Sequence, residues 1–116
     1  MTTLKSYLSG EWRQGEGPGE ALLNPATEEV LAMASADGLD RKQALHHARS
    51  VGGPALRALT FKQRGELVQK TAALLQKNRD ELIGLAMTNG GNTRSDAKFD
   101  VDGAIATLQA YAEVGA

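Results

Sequence analysis

The rhythm of apolar and polar positions changes once along the chain, near Gly38. Before it, short apolar patches alternate with turn residues. Tyr7-Leu8, Ser9-Gly10 and Glu11-Trp12-Arg13 read as two short strands around a two-residue turn. Gly15-Glu-Gly-Pro-Gly19 holds too many breakers for regular structure. Ala21-Leu22-Leu23 and Val30-Leu31-Ala32-Met33 then flank Asn24-Pro25, where proline presets φ and the Asn side chain bonds the backbone ahead. This predicts a second, wider hairpin. Two hairpins alone are marginal in water, so both are expected to rest on other structure.

After Gly38 the spacing becomes helical. Asp40 with Gln43 opens a helix whose apolar face is Ala44, Leu45, Ala48 and Val51, and Gly52-Gly53-Pro54 is expected to stop it. Thr60 with Gln63 forms a second capping box, before a stripe of Leu67, Val68, Leu74 and Leu75. Asn78 with Glu81 caps a third helix carrying Leu82, Ile83 and Met87, ended by Asn89-Gly90-Gly91. Ser95 starts a fourth, with Val101, Ile105, Leu108 and Ala112 on one face. The pattern as a whole predicts an α/β protein: two small β-hairpins over residues 1–38, then about four α-helices over 39–116.

Composition sharpens this picture. Of 116 residues, 41% are hydrophobic and 23% charged, a globular balance. Only five residues are aromatic (one Trp, two Tyr, two Phe), which favours helices packed closely through small side chains. Thirteen basic against fourteen acidic residues leave a net charge of −1, so no general attraction to nucleic acid or an anionic membrane is expected. No apolar run approaches the ~20 residues of a membrane span. The first residues lack the layout of a signal peptide, which makes a cytoplasmic protein the expectation. There is no cysteine, hence no disulfide, cysteine-type zinc site or cysteine nucleophile within these residues.

Other chemistry fares no better. Adjacent helical positions point about 100° apart, so His46 and His47 do not share one ion and are read as solvated helix surface. Asp100 and Asp102 face different directions, whereas Asp96 and Asp100 share a face near a helix start and complement its dipole. Asn89-Gly90-Gly91-Asn92 follows a helix rather than a strand and lacks the P-loop lysine, so it reads as a C-cap. Gly15–Gly19 has no following helix to offer a phosphate. From the residues themselves there is no catalytic residue, cofactor-binding residue or metal ligand.

The order of these weak motifs is nevertheless specific. Tyr7-Leu-Ser-Gly-Glu-Trp12, Asn24-Pro-Ala-Thr-Glu-Glu-Val30, Asn78-Arg-Asp-Glu-Leu82, Thr88-Asn-Gly-Gly91 and Asp100-Val-Asp-Gly-Ala-Ile105 resemble the N-terminal part of the aldehyde dehydrogenase superfamily. The family's own turn reads Asn-Pro-Ala-Thr-Gly-Glu-Val, so Glu28 stands where a glycine is usual. Gly38-Leu-Asp40, Gly53 through Phe61 and Thr93-Arg-Ser-Asp96 are similar to one branch. That branch holds the CoA-linked semialdehyde dehydrogenases of phenylacetate and benzoyl-CoA catabolism, some of them joined to a hydratase-like domain.

The resemblance implies an enzyme several times longer than this chain. In it a cysteine thiolate attacks the aldehyde, hydride passes to NAD or NADP, and water attacks the thioester with a glutamate as base. The cysteine, the glutamate and the glycines that hold the cofactor phosphates are all expected beyond Ala116, leaving residues 1–116 an inactive N-terminal segment. Its residues 39–116 would be the helical part of the cofactor-binding domain. Phe99 and Gly103 match positions, one helical turn apart, that line the substrate tunnel; the absent side chain of Gly103 either makes room for a large CoA-linked substrate or permits close helix packing. Leu23 and Thr88 match positions whose carbonyls hold a monovalent cation in some members, with Thr88 in place of Asp, and no metal is assigned. Expected partners are the remainder of the dehydrogenase domain and a CoA-linked aldehyde, in a homo-oligomer. The alternative is a stand-alone interaction or structural domain derived from such an enzyme.

Overall fold

The computed structural model describes residues 2–115, which fold as two compact units, one ending at Ala55 and the other beginning at Leu56. In the first unit the tight hairpin forms as its sequence predicts. Strands β2 (Ser6–Leu8) and β3 (Glu11–Arg13) pair antiparallel, with Tyr7 opposite Trp12. Ser9 and Gly10 both have positive φ, 54° and 85°, as a turn matching the right-handed strand twist requires. The rings of Tyr7 and Trp12 meet edge to face at 5.2 Å.

The wider hairpin joins β4 (Glu20–Leu23) and β5 (Val30–Ala34), with a register shift between Leu22 and Leu23. Asn24 organises its turn: Oδ1 accepts from the Ala26 amide at 2.9 Å, and the Asn24 carbonyl accepts from the Glu28 amide at 2.8 Å. Glu28 takes φ of 62°, a left-handed conformation that costs a non-glycine residue about 1–2 kcal/mol. A further strand, β1 (Thr2–Thr3), runs parallel to β5 and makes β5 the centre of a three-stranded sheet. No local signal announces this two-residue strand, because its partner lies some thirty residues away.

Helix α1 (Arg41–His47) is capped by Asp40, whose side chain accepts from the Gln43 amide at 2.8 Å. Ser9 Oγ donates to Gln43 Oε1 at 2.7 Å, tying the tight hairpin to this helix. The expected stop at Gly52-Gly53-Pro54 does not occur. The chain passes through a π-helical turn (Ala48–Gly52) into α2 (Gly53–Arg57). The wider turn accommodates Pro54, whose ring would clash with the carbonyl one α-turn earlier and which has no N–H to donate. The predicted apolar face is also only partly covered: Leu45 and Val51 are each about half exposed.

The second unit is three helices. Thr60 and Gln63 make the full reciprocal capping box at the start of α3 (Phe61–Lys77). A single residue, Asn78, separates α3 from α4 (Arg79–Gly90). Asn78 was expected to cap α4, but its side chain instead donates back to the Leu74 carbonyl at 2.8 Å and closes α3. Gly91, at φ 70°, ends α4 in the left-handed conformation. The cap of α5 (Arg94–Val114) is Thr93 rather than Ser95, its Oγ1 accepting from the Asp96 amide.

Small residues make this core. Gly65 and Ala72 of α3, Ile83 of α4, and Ala97, Ile105 and Ala112 of α5 are buried. A Cβ on Gly65 would meet the Ala112 carbonyl oxygen at 3.0 Å, so glycine there sets how closely α3 and α5 approach. All five aromatic side chains stand exposed instead: Tyr7, Trp12, Phe61, Phe99 and Tyr111. The stripe predicted on α3 divides in the same way, with Val68 and Leu75 half-buried and Leu67 and Leu74 exposed.

Candidate functional site

Helix α5 carries the two residues that the sequence resemblance singles out. At 100° per residue, Ala97, Val101, Ile105, Leu108 and Ala112 fall on one side, which is the side the fold covers. Phe99 and Gly103 lie on the opposite side, one turn apart. Phe99 is 79% exposed, and a side chain added at Gly103 would meet open space. Ala106 and Ala110, both exposed, continue that strip within an arc of about 60°. The result is an open strip with one aromatic ring followed by small residues. It carries no charge, so it can contact a substrate but cannot move a proton.

One ion pair joins this stretch of α5 to α4. Arg79 Nε donates to Asp102 Oδ1 at 2.6 Å and Nη2 to Oδ2 at 2.9 Å, a two-pronged pair. The hydrogen-bonded guanidinium holds the Asp102 carboxyl below the usual carboxylate range, against partial desolvation, with smaller help from Lys98. Asp102 in turn raises the Arg79 pKa. Asp100 is engaged separately, accepting from Asn92 Nδ2 at 3.3 Å. The two carboxylates thus serve different partners and form no acid–base couple. Arg79 is a partner that no spacing along the chain reveals. Its signal is a cation in the first turn of a helix, against the dipole, with only the adjacent Asp80 as a local partner, at 3.5 Å.

The remaining candidates stay apart. His46 is exposed and His47 half-buried on α1, and among the described residues no group of three His, Cys, Asp or Glu is placed to hold a metal ion. Two open concavities have mixed polar and apolar linings: one of about 610 Å³ beside Pro18, Gly19, Glu20, Ala34 and Asp37, and one of about 620 Å³ between Gln69, Ala73, Gln76, Gln109 and Glu113. The glycine-rich segments do not fit a dinucleotide. Asn89–Asn92 terminates a helix, with Gly90 against the Asn92 side chain. Gly15–Gly19 lies between strands, its end glycines against the backbone of Ala34 and Ser35. Neither presents free amides at the start of a helix.

This arrangement of hairpins and capped helices is that of a known enzyme family. The sequence pattern of the aldehyde dehydrogenase family matches residues 12–116, and the chain belongs to that family. It is 46% identical over 112 residues to 3,4-dehydroadipyl-CoA semialdehyde dehydrogenase of Aromatoleum evansii, a match covering 97% of this chain and 22% of that protein. It is 30% identical over 110 residues to glutarate-semialdehyde dehydrogenase of Pseudomonas putida, covering 94% of this chain and 23% of that protein. The crystal structure of a NAD-dependent benzaldehyde dehydrogenase from Corynebacterium glutamicum superposes with a TM-score of 0.84 at 21% identity, over 96% of this chain and 24% of that one. The chain thus spans less than a quarter of the length of these relatives. Among the described residues no helix is long and apolar enough to cross a membrane.

Proposed function

We propose that these residues are the N-terminal segment of an NAD(P)-dependent dehydrogenase that oxidises a CoA-linked semialdehyde to the acid in aromatic-compound catabolism, of the phenylacetate type. The observation that carries this reading is the 46% identity, over nearly the whole chain, to an enzyme of a CoA semialdehyde. The open face at Gly103 agrees with a bulky substrate. In this reading residues 39–116 are the helical part of the cofactor-binding domain. Phe99 and Gly103 line the substrate tunnel. The cysteine nucleophile, the glutamate base and the cofactor-phosphate glycines stand outside these 116 residues, so the segment alone is inactive. The whole enzyme is cytoplasmic and homo-oligomeric.

Substrate discrimination tests it. In the full-length dehydrogenase, Gly103→Leu is expected to lower kcat/KM for 3,4-dehydroadipyl-CoA semialdehyde about tenfold or more relative to free glutarate semialdehyde. Equal effects on both substrates would remove Gly103 from the tunnel. An encoding frame that stops at Ala116 would favour instead a stand-alone domain derived from such an enzyme.

A further inference from the structure

We infer that Arg79 and Asp102 are a positioning pair for substrate recognition, fixing the turn of α5 that presents Phe99 and Gly103. The inference rests on the reading of that face as substrate-lining. Three observations support it. First, Asp102 sits within the turn in question, three residues after Phe99 and directly before Gly103. Second, that turn contains the one interior glycine of α5. A glycine in a helix interior is about 1 kcal/mol less favourable than alanine, and no neighbouring side chain occupies the space at Gly103. Third, the close backbone approach that fixes α5 against α3 lies at Gly65 and Ala112, more than two turns further along. At the Phe99–Gly103 turn, the side-chain hydrogen bonds from another helix come from Arg79.

The chemistry of the pair suits this role. Two parallel N–H···O bonds set orientation as well as distance, which a lysine ammonium cannot do. Asn92 to Asp100 adds only a local link from the preceding loop. Within its own helix Arg79 makes only a long contact, Nη1 donating to Asp80 Oδ1 at 3.5 Å, and a cation at the N-terminus opposes the dipole. Losing the two-pronged pair would let the turn at Gly103 bend or rotate. A shift of the order of an ångström there is enough to alter binding of a substrate that fills the strip.

The test is a KM-against-kcat comparison in the full-length dehydrogenase. Arg79→Lys keeps the charge and loses the fork. It is expected to raise KM for 3,4-dehydroadipyl-CoA semialdehyde about three- to tenfold with kcat within about twofold, while KM for glutarate semialdehyde stays within about twofold. The swapped pair, Arg79→Asp with Asp102→Arg, is expected to recover most of the CoA-substrate KM. Equal changes for both substrates, or a lowered Tm with unchanged KM, would overturn the positioning role. Gly103→Leu assayed in parallel separates the two ideas. If it alters discrimination and Arg79→Lys does not, only the positioning role fails. If Gly103→Leu leaves discrimination unchanged, the substrate-lining reading fails and the positioning role with it.

Discussion

From β1 to α1 the structure is carried by backbone ladders and turn side chains; from α3 to α5 it is carried by small side chains packed between helices. In the strand-rich unit Ala32 is the one core side chain among those described, while Asn24, Asp40, Ser9 and Gln43 supply its defining hydrogen bonds. In the helical unit Ala72, Ile83, Ala97, Ile105 and Ala112 are buried, with Gly65 among them. The difference teaches where each unit is vulnerable. A ladder tolerates side-chain loss and depends on backbone conformation at its turns. A core built mostly from alanine and glycine has little volume to spare, so its two large members, Ile83 and Ile105, carry a disproportionate share of the packing.

That contrast can be broken at either end, and the largest effect is expected at Ile83. It is the one large side chain completely buried among the described residues, and Ile83→Ala is expected to destabilise the helical unit by about 3 kcal/mol. Urea unfolding followed by circular dichroism checks this; a loss under about 1 kcal/mol would mean that the helices collapse onto the cavity and the packing is not close. A smaller effect of opposite sign is expected in the strand-rich unit. Glu28→Gly relieves the left-handed backbone of the wide turn and should stabilise by about 0.5–1 kcal/mol. A neutral or destabilising result would place the strain elsewhere.

The smallest effect concerns the Arg79–Asp102 pair. Asp102 has a folded-state pKa below its unfolded value, so its contribution is present above the ordinary carboxylate range, about pH 4, and is lost as pH falls through the folded value. Unfolding compared at pH 7 and about pH 3 should show a smaller loss for Asp102→Asn than for the parent protein. Both groups reach solvent, which keeps this effect modest.

Local chemistry was readable along the chain, and distant pairing was not. Ser9-Gly10, Asn24-Pro25, the Thr60–Gln63 box and Gly91 each act within four residues, and each does in the fold what its sequence predicts. β1 and the Arg79–Asp102 link escaped because their partners lie 30 and 23 residues away, with no spacing rule to connect them. The glycine-proline stop failed because a π-helical turn offers another way past proline. Asn78 departs from the capping pattern because one residue serves two helix ends, and its side chain bonds the earlier one. At the candidate site, the alternation on α5 was legible enough to place Val101, Ile105, Leu108 and Ala112 inward. What Phe99 and Gly103 face was not, since a periodic pattern defines only the covered side.

The measurement that bears most directly on the account is substrate discrimination by the full-length dehydrogenase carrying these residues, with and without Gly103→Leu. The expected result is a strong parental preference for 3,4-dehydroadipyl-CoA semialdehyde over free glutarate semialdehyde, reduced about tenfold or more by the substitution. A preference for the free semialdehyde, or a ratio that Gly103→Leu leaves untouched, would contradict it.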